Sequence, residues 1–278
     1  MSGTAKGESC PVPMGGRGVG MPEGPSIAIL KQELTRFVGR TVVGVSGNTQ
    51  IDKQRLLQKK VVAVRSWGKQ LLLEFDAFSI RVHLLMFGSY RIDDPKPPDR
   101  PPRLSLQFED GHQVFFYTCS VLFLEEPLDD LYDWSADVLS DAWDEKAALR
   151  KLRRRPEALV CDALLDQSIF SGVGNIIKNE VLFRIRVHPL STIGGMPAVK
   201  LRECVDQARA YSYEFLFWKL AYMLKVHLIA HNRKVCQRCD IPLQRAHFGT
   251  LKRRSFFCVR CQRLYKPLGS SGLPETPG

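Results

Sequence analysis

The sequence predicts an α+β multidomain protein: a β-sandwich domain behind one leading helix, then a helical domain, then a small four-cysteine module. Three observations predict it. Between positions 41 and 124, short apolar and β-branched runs recur at close spacing. Beyond Glu125 the apolar period becomes helical, and the chain then carries two Cys-x2-Cys pairs near its end.

Residues 1 to 20 hold Gly3, Gly7, Gly15, Gly16, Gly18 and Gly20 and almost no large apolar side chains. Such a segment buries too little surface to offset its ordering entropy and is expected to be disordered. Ile27, Leu30, Leu34, Phe37 and Val38 then recur at helical spacing, with Gly39 as a stop. The strand-like runs are Thr41–Val45, Val61–Arg65, Gln70–Phe75, Ile80–Leu85, Leu104–Phe108, Gln113–Thr118 and Val121–Leu124, a pattern that suggests a sandwich. Ser66-Trp67-Gly68-Lys69 and Glu109-Asp110-Gly111-His112 read as hairpin turns, because glycine tolerates positive φ. Five prolines between Asp93 and Pro102 make that stretch a surface loop. Pro127 to Ala142 is an acidic connector; Asp144–Arg154, Glu157–Asp166, Ile176–Phe183, Ala198–Ala210 and Tyr213–Ile229 read as helices. The expected divisions are a leader over 1–20, a β-sandwich domain over 21–135, a helical domain over 136–230, a cysteine module over 231–267 and a disordered tail over 268–278.

With 40 Lys+Arg against 29 Asp+Glu, the chain of 278 residues carries a net charge of +11, which points to a polyanionic partner, nucleic acid first. A generically basic surface is the plainer explanation of charge alone. No window of eighteen apolar residues exists, and residues 1 to 20 lack a signal-peptide core, so an intracellular protein is expected.

Cys236, Cys239, Cys258 and Cys261 form two knuckles separated by eighteen residues. Four thiolates so spaced close a tetrahedron around one structural Zn²⁺, with disulfides as the competing pairing. Cys10, Cys119, Cys161 and Cys204 stand singly and read as small apolar residues or a free thiol. The basic residues Arg245, Lys252, Arg253 and Arg254 lie between the knuckles, where a hairpin tip suits phosphate contact or is simply solvated. Ser171-Gly172-Val173-Gly174-Asn175 opens a helix: it is either a phosphate-docking turn capped by Asn175 or a tight turn with two glycines. Lys69, at a hairpin tip, is either an exposed lysine or a phosphate ligand.

Met21-Pro22-Glu23-Gly24-Pro25 admits two readings. As an internal segment it is a helix entry with Pro and Glu near the N-terminus. If the chain begins at Met21 and the Met is removed, Pro22 bears a free secondary amine that titrates near pH ~8 and can form an iminium with a sugar aldehyde carbon, Glu23 supplying a proton.

Taken together, Met21-Pro22-Glu23-Gly24-Pro25, Gly68-Lys69, His83-Leu84-Leu85-Met86-Phe87-Gly88, Leu164-Leu165-Asp166-Gln167 with Gly172-Val173-Gly174-Asn175, and the paired knuckles resemble the formamidopyrimidine-DNA glycosylase and endonuclease VIII family, from Met21 to about Pro267. The resemblance implies a helix–two-turn–helix element in the helical domain, a zinc-finger hairpin, and DNA in the cleft between domains. By position it implies Pro22 as Schiff-base nucleophile, Glu23 as proton donor, and Lys69 as the β-hairpin lysine that donates a proton or contacts phosphate. It implies Asn175 as phosphate ligand and Arg253 as the finger arginine that serves δ-elimination and grips phosphates, with Arg254 its neighbour. It implies Leu85, Met86 and Phe87 as the residues that fill the gap left by an extruded base.

Phe116 to Val121 lacks the Arg-Arg-Phe-Gly-type run of the oxidised-purine branch, which favours the endonuclease VIII branch and oxidised pyrimidines. The knuckle spacing is longer than usual, which bears on the choice of Arg253 over Arg254. The expected protein is a monomeric base-excision glycosylase with AP lyase activity, acting on double-stranded DNA with oxidised bases or abasic sites and located with the DNA (cytoplasm and nucleoid in a bacterium). Alternatives are an oxidised-purine glycosylase of the same family, a silent damaged-DNA binder with blocked Pro22, or a zinc-ribbon factor that leaves Met21–Pro25 unexplained. In the leading reading residues 1 to 20 are a mis-assigned start or a removable leader.

Overall fold

Apolar side chains at helical spacing and a single proline, Pro25, confined to the first turn make residues Gly24–Leu34 a helix, α1, that buries Ile27, Leu30 and Leu34. A single turn of tighter helix, Thr35–Phe37, and Gly39 at φ +84 end it. The computed structural model describes residues 22–97 and 99–266. The expectations for the leader and for the 268–278 tail fall outside those residues.

Strands β1 (Val42–Ser46), β2 (Ala63–Trp67), β3 (Gln70–Glu74), β4 (Ser79–Ile92), β5 (Leu104–Phe108) and β6 (Gln113–Leu124) form one antiparallel sheet in the order β1-β5-β6-β4-β3-β2. The two layers expected from the sequence are built by sharing β4 and β6. Their first and second halves pair with different neighbours, on either side of an irregularity between Leu84 and Ser89. Leu71, Leu73 and Val82 from one half and Leu106, Val114 and Phe116 from the other enclose a single core with α1. Two strand boundaries differ from the sequence reading. Ile80–Leu85 continues to Ile92, carrying Leu85–Phe87 on the irregular segment, and Gln113–Thr118 and Val121–Leu124 are one strand. Thr118 at φ +50 accommodates the break in register without ending β6.

After the short α2 (Leu128–Leu131), tied to β2 by the Arg65–Asp129 ion pair, the helical domain follows: α3 (Glu145–Arg153), α4 (Val160–Ala163), α5 (Asn175–Arg184), α6 (Ala198–Leu220) and α7 (Leu224–His227). Its core joins Leu149, Leu152, Phe170, Val173, Ile177, Val181, Leu201, Val205, Tyr211 and Phe215. The helix expected over Glu157–Asp166 shrinks to α4, because Ala158 and Leu159 pair by backbone with Thr192 and Ile193 instead. The two helices expected over 198–210 and 213–229 are largely one, of 23 residues, because nothing between Ala210 and Tyr213 breaks the ladder. Strands β7 (Gln244–Phe248) and β8 (Arg253–Phe257) make the terminal hairpin, seated on Phe183 through Ala230, Cys236 and Cys258. Among the described residues no helix is long and apolar enough to cross a membrane.

Candidate active site

Glu23 opens α1 through its backbone, its carbonyl accepting the N–H groups of Ser26 at 2.8 Å and Ile27 at 3.3 Å. Its side chain makes no bond to that helix. Instead the carboxylate crosses to the start of α5 and accepts the N–H groups of Ile176 at 2.7 Å and Ile177 at 3.2 Å. Helix N-termini present orphan donors and partial positive charge, so a carboxylate is well placed there. Glu23 is only 2% exposed, and burial raises its pKa above the ordinary carboxylate range; Lys69 and the α5 amides oppose that rise without cancelling it. The carboxyl therefore holds a proton to higher pH than a surface glutamate.

Lys69 approaches from the β2–β3 hairpin. Trp67 pairs with Gln70, leaving a two-residue loop whose first member, Gly68, sits at φ +54. Asp137 from the connector fixes that loop: its Oδ2 accepts the Gly68 N–H at 2.7 Å and its Oδ1 that of Leu139 at 2.9 Å. A Cβ on Gly68 would overlap the Ser171 hydroxyl and come within 2.9 Å of the Gly172 nitrogen, so glycine is required by contact as well as by turn geometry. On the other side Gly24 donates to the Gly172 carbonyl at 2.8 Å. Helix α1, the hairpin and the 171–174 turn thus meet backbone to backbone. Lys69 is half-buried, and its pKa is lowered chiefly by burial, with Glu23 opposing and Arg253 adding to the drop.

Arg253 begins β8, opposite Phe248, near enough to depress both Lys69 and Lys178. Arg254 pairs with His247 and faces elsewhere, acting on His231. Its carbonyl accepts from Lys178 Nζ and Asn179 Nδ2, each at 3.3 Å. Pro22 is half-buried beside Glu23. Asn175 is the first residue of α5, and Gly174 rather than Asn175 occupies the capping position. Leu85, Met86 and Phe87 lie together on the β4 irregularity with Phe87 76% exposed, away from any core cluster.

The ligand sulfurs of Cys236, Cys239, Cys258 and Cys261 lie within 4.8 Å of one another. Cys236 Sγ and Cys261 Sγ are 3.8 Å apart. That separation fits a tetrahedral four-sulfur site, whose edges are about 3.8 Å for zinc–sulfur bonds of about 2.3 Å. The set is buried or half-buried and closed by its own hairpin, as a structural rather than catalytic metal requires.

Several residues of the junction escaped the sequence reading. Asp137, Lys178 and Glu180 are buried charges whose partners lie on distant segments. Glu180, for example, accepts the N–H groups of Ile229, Ala230 and His231 at 2.7 to 3.0 Å. Lys219, on α6, feels the charge of Glu23 and stands within 5.8 Å of the Phe215 ring. Only the polarity of Lys178-Asn179-Glu180 inside an otherwise apolar helix hinted at such roles.

Two family models match the chain, the formamidopyrimidine-DNA glycosylase N-terminal domain over residues 21–119 and the formamidopyrimidine-DNA glycosylase H2TH domain over 135–209. Together they cover more than half of it. The chain belongs to the formamidopyrimidine-DNA glycosylase and endonuclease VIII family. Relatives within this family include Endonuclease 8-like 3 of Mus musculus, 28% identical over 72% of this chain and 34% of the relative. Endonuclease 8-like 2 of Mus musculus is 32% identical over 64% and 53%. Formamidopyrimidine-DNA glycosylase of Corynebacterium glutamicum is 26% identical over 87% and 99%. The chain thus spans about a third of the length of the first of these, about half of the second, and nearly all of the bacterial glycosylase. A viral DNA glycosylase structure shares the fold at a TM-score of 0.75 and 18% identity, covering 87% of this chain and 100% of that one. The Lactococcus lactis formamidopyrimidine-DNA glycosylase, bound to DNA containing an abasic site, shares it at 0.74 and 21%, covering 87% and 99%.

Proposed function

We propose that this family member is a base-excision DNA glycosylase with AP lyase activity that removes oxidised bases, pyrimidines favoured, from double-stranded DNA. The observation that carries the reading is the Glu23 carboxyl, buried against the amides of α5 with Lys69 facing it. A proton donor and a cation there frame the sugar of an extruded nucleotide next to Pro22.

In this reading the active chain begins at Pro22, whose secondary amine attacks C1′ as the C1′–N bond to the base breaks and the base leaves protonated. Glu23 gives its proton to the ring oxygen, the sugar opens, and the nitrogen becomes an iminium. Loss of the neighbouring C2′ proton breaks the C3′–O bond, a second elimination breaks the C5′–O bond, and water returns the amine. Lys69, with its lowered pKa, contacts the adjacent phosphate or shuttles a proton. Arg253 and Asn175 hold flanking phosphates, Arg254 extends that contact, and Leu85, Met86 and Phe87 fill the vacated stack. Zn²⁺ on Cys236, Cys239, Cys258 and Cys261 would hold the finger that presents Arg253. The protein acts as a monomer where the DNA is, without a membrane.

Duplexes carrying one defined lesion each test the substrate assignment. Preferential cutting at oxidised pyrimidines, leaving phosphates on both ends of the gap, supports it. Preference for oxidised purines moves the protein to the other branch of the family, and cutting of none of the panel rejects the enzyme.

A further inference from the structure

A cleft of about 400 Å³ opens where α5 ends, lined by Arg184, Ile185, Arg186, Glu203, Gln207 and Arg238. Three arginines reach it from three places: the last residue of α5, the turn beyond it, and the first cysteine knuckle. Helix α5 is ten residues long, so the cleft lies about 15 Å from the end that holds Glu23. It is separate from the lesion site.

The charges of the lining do not balance. Arg184 is matched by Glu214, which takes both guanidinium nitrogens at 3.0 and 2.7 Å, and Glu203 is matched by Lys200 at 2.6 Å. Arg186 and Arg238 have no carboxylate partner among the described residues. Arg238 is nonetheless committed: it lies 4.0 Å over the Phe183 ring, donates to the Phe183 carbonyl and donates to Cys261 Sγ at 3.7 Å, which leaves Arg186 as the unbalanced charge.

Cations at a helix C-terminus ordinarily serve its partial negative charge. That work is already done here by Arg238 and by Lys200, which donates to the Ile185 carbonyl at 2.9 Å. Arg186 is left exposed, without a side-chain hydrogen bond among the described residues, at φ +60. The left-handed backbone costs a non-glycine residue about 1 kcal/mol or more. Glycine would make this turn without that cost, so the position carries an unpaired guanidinium at the expense of backbone strain. The Arg186 guanidinium fork, in a cleft that also holds the Gln207 amide, suits the oxygens of a phosphate.

We propose that this cleft is a second anion site, which takes the phosphate group of a nucleotide, either free or at the 5′ end of a DNA strand other than the one in the lesion site. The full chain is first saturated with a duplex carrying an abasic-site analogue and then titrated in a calorimeter. The probes are inorganic phosphate, a deoxynucleoside 5′-monophosphate, and one single-stranded oligonucleotide with and without a 5′-phosphate.

The expected result is a second binding event for at least one phosphate-bearing probe. Arg186→Gly, which relieves the left-handed residue and preserves the fold, should weaken it about tenfold or more by removing a charge-assisted fork. Gln207→Glu, which adds a negative charge to the cleft, should abolish it, while both variants bind the duplex as the parent does. Binding by inorganic phosphate and the mononucleotide identifies the free source. Tighter binding of the phosphorylated strand than of its unphosphorylated twin identifies a strand end. Absence of a second event with every probe, or equal binding by the parent and Arg186→Gly, overturns the proposal. Failure of the duplex to bind in the first step counts against the lesion-site reading instead, and the cleft is then titrated on the free protein.

Discussion

The Glu23 carboxylate bonds the Ile176 amide at 2.7 Å across 153 positions of sequence, joining the first turn of α1 to the first turn of α5. With the Gly24–Gly172 and Gly68–Asp137 bonds, this contact brings the β-rich and helical parts of the chain to one point, and it opposes the effect of burial on the acid proposed for catalysis. Burial favours the neutral carboxyl, whereas the α5 amides and Lys69 favour the anion, and burial prevails.

Glu23→Gln should therefore lower base excision by about 10²- to 10⁴-fold, the range of general acid catalysis, with little loss of duplex affinity. The active form is the protonated acid. Parental activity should fall as pH rises through its raised pKa, and the variant should lack that limb. Single-turnover cutting across pH checks both.

Gly174→Ala isolates the same acid sterically. Gly174 has φ −121, which alanine adopts freely, but an added Cβ would lie 2.5 Å from Glu23 Oε1. The carboxyl must leave its amide cradle, at a cost of about 1–3 kcal/mol typical of overpacking. Thermal unfolding and the pH profile of cutting should shift together; a change in stability alone would separate the glycine from the acid.

How much of this was legible in the sequence depended on range. Alternating apolar runs gave β1 to β3 and β5 within two residues, and paired cysteines gave the knuckles, because both signals are local. The junction was not local. The Met-Pro-Glu-Gly-Pro segment reads by itself as a helix entry capped by its own glutamate, whereas the side chain caps a different helix. Gly68 announced a turn, but its contact with Ser171 and Gly172 needed the fold. Lys178 looked like one polar residue in a helix; it is 1% exposed and bonds Ser255 Oγ at 2.9 Å.

Lys178 offers a stability prediction. Its pKa falls from 10.5 to about 8, chiefly through burial. Between those values the unfolded chain holds a proton that the folded chain lacks, so this lysine makes the folded state gain stability as pH rises from about 8 toward 10.5. Below about 8 both states are charged, and its contribution is flat. Lys178→Met should remove this rise, worth on the order of 3 kcal/mol over the interval, and denaturant midpoints of the two proteins at pH 7, 8, 9 and 10 measure it.

The finger arginines divide by position. Arg253 acts on Lys69, and Arg254 on His231. Arg253→Ala should weaken cutting and reduce the slope of log affinity against log salt by about 1, as expected for one lost phosphate contact. Arg254→Ala should change both less. Salt titrations of duplex binding decide, and the reverse order would reassign the finger arginine.

Borohydride trapping decides whether Pro22 is the nucleophile. Protein starting at Pro22 and protein retaining residues 1 to 20 are each incubated with abasic-site DNA and reduced, and the cross-linked peptide is mapped, with intact mass confirming each terminus. An adduct should form on Pro22 in the first protein and none in the second. An adduct on another residue, or full cutting by a chain that still carries residues 1 to 20, would contradict it.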